Sequence, residues 1–97
     1  MFDLVFTEKA NAQLDSLEQE KDKKTVLKAV RKTLGLMEKN LRHPSLQTHL
    51  FTSLEGENGE KVFESYAQNR TPGAYRIFWH YGPNKKEITI VAIVPHP

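Results

Sequence analysis

The spacing of the apolar residues changes after His43-Pro44, and the change separates a helical half of the chain from an extended half. Before it, Val26, Val30, Thr33, Leu34, Met37 and Leu41 recur at i, i+4, i+7, i+8, i+11 and i+15, the stripe of one helix face. This helix is expected to run on to His43-Pro44, because the residue before a proline is pushed out of the helical region. After it, residues 50–54, 62–67, 75–81 and 88–94 read as strands. The breaks between them, Glu55-Gly56-Glu57-Asn58-Gly59, Asn69-Arg70-Thr71-Pro72-Gly73 and Gly82-Pro83-Asn84-Lys85-Lys86, are rich in turn formers. Links this short predict an antiparallel meander. At the start, Phe2-Asp3-Leu4-Val5-Phe6 alternates as a strand, with Phe2, Leu4 and Phe6 on one face. Thr7 is a good N-cap, Glu8 suits the positive end of a helix dipole, and Ala10, Leu14 and Leu17 continue at helical spacing, so a first helix is predicted over residues 8–20. Ile88, Ile90, Ala92 and Val94, with Ile77 and Trp79, need cover. The expected architecture is therefore α+β: an N-terminal strand and two helices packed on one face of a mainly antiparallel sheet, in the order β-α-α-β-β-β(-β).

A chain of 97 residues that is 38% hydrophobic supports one modest core, so residues 1–97 are expected to form a single domain. Its stability would be small enough for a covering partner to matter. The absence of cysteine excludes disulfides and thiolate metal sites. No segment has the length and apolarity of a membrane span, and the N-terminus lacks a basic leader region, so a soluble, cytoplasmic protein without membrane contact is expected. The net charge of +2 decides little; its distribution is more informative. Lys21, Lys23, Lys24, Lys28, Arg31, Lys32, Lys39 and Arg42 fall together, whereas acids dominate residues 55–64. The basic segment suits a polyanion, either RNA or an acidic peptide. A solvated helix face explains any one of these lysines equally well.

Side chains alternate along the strand at 75–81, so Tyr75, Ile77, Trp79 and Tyr81 face the core and Arg76, Phe78 and His80 face away from the helices. A guanidinium at Arg76 can hold a phosphate through paired hydrogen bonds; the plainer reading is an ion pair with a neighbour such as Glu64. Among His43, His49, His80 and His96, only His96 is flanked by two prolines, directly after the most apolar strand. An imidazole there suits general acid work, and a solvated chain end is the plainer reading. His49 stands just ahead of the first strand of the sheet region. Two histidines, an arginine and a carboxylate suffice for metal-free RNA cleavage: they can activate a 2′-hydroxyl, protonate the leaving oxygen and steady the phosphorane. The sequence carries no compact metal-ligand cluster, phosphate-binding loop, dinucleotide turn or serine hydrolase elbow, and no cofactor is expected.

Taken together, the opening strand closing in Phe6-Thr7 before two helices, His49-Leu50 ahead of a glycine-containing turn, Val62-Phe63-Glu64-Ser65-Tyr66, Tyr75-Arg76-Ile77-Phe78-Trp79 and the terminal Val94-Pro95-His96 resemble the RelE/ParE toxin superfamily over nearly the whole chain. The resemblance implies the toxin of a type II toxin–antitoxin system, a ribosome-dependent endoribonuclease that cuts mRNA by in-line 2′-hydroxyl attack and so inhibits translation. It places Arg76 as the phosphate-stabilising arginine, His96 as the C-terminal active-site residue and His49 as a histidine that some members use; Glu64 is a separate candidate, outside what the resemblance implies, for orienting or activating a group. Lys28, Arg31, Lys32, Lys61, Tyr66 and Arg70 are the expected RNA contacts. The implied partners are an antitoxin and mRNA on the ribosome, with DNA reached only through the antitoxin. The chain departs from the family pattern in two places: Tyr66 stands where many nucleases carry a basic residue, and no glutamate precedes His49. The same superfamily contains gyrase inhibitors that act by binding, and a degenerate toxin that keeps only antitoxin binding is the third reading; fold alone does not choose between them.

Overall fold

The computed structural model describes residues 1–96. Strand β1 (Asp3–Phe6) leads into helix α1 (Glu8–Gln19), and a 3-10 turn at Lys21–Lys23 joins it to helix α2 (Lys24–Lys39). Strands β2 (His49–Glu55), β3 (Lys61–Tyr66), β4 (Tyr75–Tyr81) and β5 (Glu87–Pro95) follow. They form one five-stranded sheet in the order β1-β5-β4-β3-β2, in which β2 to β5 make the expected antiparallel meander and β1 lies parallel to β5 on the far edge.

The two helices cover one face. Ala10 and Leu17 of α1 and Val30, Leu34 and Met37 of α2 pack with Ile77, Trp79, Ile88, Ile90 and Ile93 in the main core, and Phe2, Leu4 and Phe6 close its edge. Thr7 caps α1 as its sequence position predicts: its Oγ1 accepts from the Ala10 N–H at 3.1 Å. The same hydroxyl donates to the Val91 carbonyl at 3.1 Å, which ties the helix start to β5. Helix α2 stops at Lys39, earlier than the His43-Pro44 boundary suggested. Asn40 explains the difference, since its Oδ1 accepts from the Arg42 N–H at 3.2 Å and offers the backbone a local alternative to the helix. Leu41 remains buried beyond the helix end.

The helix-free face carries a smaller apolar cluster of Val62, Phe78 and Ala92, flanked by Phe51, Val91 and Val94. A bulge at Val91 interrupts the β4–β5 pairing, where Phe78 faces Ala92 and Trp79 faces Ile90. The ladder extends past β5, because the His96 N–H donates to the Ala74 carbonyl at 2.7 Å. That bond holds the terminal histidine at the same end of the sheet as Arg76.

Candidate active site

Pairing of the strands brings the site residues together on the helix-free face. His49 opens β2 directly opposite Glu64, and Tyr66 lies opposite Arg76, which in turn faces Val94. His96, two residues beyond Val94, falls on the same face by alternation. The four residues expected to do chemistry, His49, Glu64, Arg76 and His96, thus share one end of one face.

Glu64 is their centre. Its side chain is only 4% exposed, and its Oε1 meets His49 Nε2 at 2.6 Å. Its Oε2 lies 3.7 Å from Arg76 Nε and 3.6 Å from His96 Nδ1. Both separations are longer than a hydrogen bond, and Glu64 Oε2 and Arg76 Nε are the buried side-chain atoms without a partner among the described residues. A buried acceptor and a buried donor left open beside each other mark a place where a further polar group would be stabilised. The two imidazoles, by contrast, are accessible: His49 is 48% and His96 is 52% exposed.

The remaining contacts fix the geometry of these groups. The Arg76 guanidinium stacks on the Tyr66 ring, 3.6 Å from its centroid, a cation–π arrangement. Its Nη1 donates to the Gln68 carbonyl at 2.7 Å, and at 3.3 Å to that of Tyr75. The arginine is therefore 8% exposed and half committed to the protein, which is the ion-pair reading of this residue realised in part. His49 Nδ1 donates to the Gln47 carbonyl at 3.0 Å, which orients the ring toward Glu64. Behind the sheet, Trp79 Nε1 donates to Ser65 Oγ at 2.8 Å and Thr48 Oγ1 meets the same oxygen at 2.7 Å, pinning the residue before His49.

The other expected residues lie elsewhere. Lys28, Arg31 and Lys32 are exposed on α2, on the side of the sheet opposite Glu64 and Arg76, and Arg31 pairs with Glu18 of α1 at 2.6 Å. Lys61 is exposed at the beginning of β3, where alternation sets it with Phe63 and Ser65 on the helix-covered face. Arg70 is exposed in the loop that follows β3, with a left-handed φ of 63°. Only Tyr66 of this set joins the cluster. Gln68, Thr48 and Ser65 carried no sequence signal, since a loop carbonyl and two small hydroxyls acquire their roles only from pairing.

Among the described residues no group of histidines, aspartates and glutamates has the arrangement of a metal site, and no helix is long and apolar enough to cross a membrane. No protein-family model matches the chain, and no curated protein matches its sequence. Solved structures do match. The YoeB/ParE toxin from Agrobacterium tumefaciens superposes with a TM-score of 0.69 at 8% identity, over 100% of both chains. The YoeB dimer structure from Staphylococcus aureus gives 0.64 at 13% identity, over 99% of this chain and 98% of that one. A chain of the archaeal RelE–RelB complex from Pyrococcus horikoshii OT3 gives 0.65 at 15% identity, over 97% of this chain and 93% of that one. With its strand order, its helix pair on one face and these end-to-end superpositions, the chain has the fold of the RelE/ParE toxin superfamily.

Proposed function

We propose that this chain is the toxin of a type II toxin–antitoxin pair and acts as an endoribonuclease on ribosome-bound mRNA. The observation that carries the reading is the convergence of His49, Arg76 and His96 on the buried Glu64 carboxylate. In the proposed step the 2′-oxygen bonds to the adjacent phosphorus as the P–O5′ bond breaks, leaving a 2′,3′-cyclic phosphate and a 5′-hydroxyl. The 2′-hydroxyl gives its proton to the hydrogen-bonded His49–Glu64 pair, and O5′ takes one from His96, whose ring nitrogens have no hydrogen-bond partner among the described residues. Glu64 orients the His49 ring through its Oε1 and sets a negative charge beside His96. Arg76 meets the phosphorane with the part of its guanidinium not bonded to Gln68 and Tyr75. The chemistry needs no metal ion or cofactor in this scheme. Tyr66 and Arg70 contact the cut strand, whereas Lys28, Arg31, Lys32 and Lys61, off the reacting face, contact the ribosome's RNA.

The partner in this reading is an antitoxin, as the RelE–RelB complex among the structural neighbours suggests, and DNA is met only through it, in the cytoplasm. The test is induced expression with sequencing of transcript ends. Wild type should arrest growth and leave new ends in translated regions. Arg76→Ala should abolish the arrest, and His96→Gln should slow cutting on stalled ribosomes by about 10²-fold or more, the contribution of a general acid. The burial of Arg76 favours one competitor, a ParE-like gyrase inhibitor that acts by binding. Whole transcripts together with blocked gyrase supercoiling would establish that alternative in place of the nuclease.

A further inference from the structure

At the other end of the same sheet face, about 13 Å from Arg76 by four residues of β4, lies a cleft of about 580 Å³. It opens between the start of α1, the β2–β3 hairpin and the strand ends around His80 and Thr89. Its charged lining is predominantly acidic. Glu8, Glu55, Glu57 and Glu60 bring four carboxylates, against Lys9 as the one lysine or arginine, in a chain whose net charge is positive. The hydroxyl protons nearby are already used: Thr7 Oγ1 donates to the Val91 carbonyl and Thr89 Oγ1 to the Gly82 carbonyl.

His80 supplies an independent indication. It lines the cleft at 7% exposure, and its Nδ1 lies 2.8 Å from the Tyr81 carbonyl, an oxygen that can only accept. The Nδ1 therefore donates, and the Nε2 on the other side of this buried ring has no hydrogen-bond partner among the described residues. The carboxylates match a cationic group that only donates. Ammonium and guanidinium combine several donors with a positive charge and no acceptor. Val5, Phe6, Pro83 and Val91 add an apolar wall for the methylene stem of such a side chain.

We propose that this cleft binds an arginine or lysine side chain of a partner polypeptide. RNA is excluded from it by like charge, so the nucleic-acid end and the protein end of the face are separate. A peptide anchored here and continuing along β4 meets the apolar cluster of Phe78, Val62 and Ala92 before it reaches Glu64. The proposal does not rest on the nuclease reading.

The test is a titration of the isotope-labelled full chain with the peptide acetyl-Leu-Arg-Leu-Arg-amide, followed by nuclear magnetic resonance. The His80 ring and the amides of Gly56 to Asn58 should shift, and the glutamine-for-arginine peptide should leave them unmoved. The Glu55→Gln/Glu57→Gln variant, altered only at exposed side chains, should bind at least about tenfold more weakly while its remaining spectrum stays folded. Equal affinity of the variant, or shifts confined to other surfaces, overturns the proposal. Spermidine moving the same signals as strongly as the peptide would assign the cleft to free polyamines, and a single-stranded oligonucleotide moving them would contradict the acidic character of the lining; either result also overturns it.

Discussion

Glu64 is a carboxylate that the fold has taken out of water and surrounded with donors, so its removal has separable consequences. Glu64→Ala leaves the Arg76 guanidinium buried without its counter-charge. Breaking a buried pair costs about 3–5 kcal/mol, and the lower end applies here because Gln68 and Tyr66 still hold the arginine. Urea denaturation of Glu64→Ala against wild type measures the loss; an unchanged midpoint would mean the pair contributes nothing. Glu60 is a carboxylate of another kind, partly exposed and engaged within its own turn. Hydrogen bonds from its own backbone N–H first, and then from that of Asn58, hold its carboxyl below the ordinary value. Because the folded value is the lower one, Glu60 stabilises the hairpin at any pH above the ordinary carboxylate range. That contribution fades as the pH falls from there through the folded value. Urea midpoints of wild type and Glu60→Gln should therefore differ at neutral pH and converge in acid. A difference that persisted at the lowest pH would contradict the assignment. Of the site residues, Arg76, His49 and His96 were legible because their residue types announce phosphate and proton chemistry. Gln68 was not, because a backbone carbonyl has no signature in sequence.

Turn chemistry and strand pairing decide at the level of elements what the individual residues can reach. The β2–β3 hairpin folds Glu60 back over Gly56, where any added Cβ would lie 2.2 Å from Glu60 Oε1. Gly56→Ala should push that carboxylate out of its turn and lower the thermal midpoint, and Gly56→Ala/Glu60→Ala should recover part of the loss. Additive losses in the double variant would show that the two residues do not interact. Ser65 links β3 to its neighbours: Ser65→Ala strands the buried Trp79 N–H and frees Thr48, a cost of about 1–3 kcal/mol. It should also raise the mobility of the adjacent His49 ring, readable as line broadening, whereas a loss of stability without that broadening would separate the two roles. Element identity was legible throughout, since period 3.6 and period 2 are printed in the apolar pattern. The end of α2 was not, because Asn40 competes locally with a stripe that continues to Leu41.

For the molecule as a whole, the helix layer must dock on the sheet in one register, and side chain to backbone bonds at the Val91 bulge set it. Gln13 Oε1 of α1 accepts from the Ile93 N–H at 2.7 Å, while the Thr7 hydroxyl holds the Val91 carbonyl. Gln13→Ala should expose an unmet N–H beside the core and cost about 1–3 kcal/mol in urea denaturation. Wild-type stability in that variant would mean water replaces the glutamine. The same layering separates charges: the basic face of α2 lies behind the sheet, the His49, Glu64, Arg76 and His96 cluster at one end of the front, and the acidic cleft at the other. Sequence alone determined the two helices, the strands, the turns between them and the face on which Arg76 stands, because each follows from local periodicity and residue chemistry. The meeting of His49, Glu64, Arg76 and His96, the parallel seat of β1 beside β5 and the separation of Lys28, Arg31 and Lys32 from that cluster were decided by tertiary structure. Strand order and register join residues far apart along the chain, and their free energy comes from burial of whole faces rather than from any residue's neighbours in sequence.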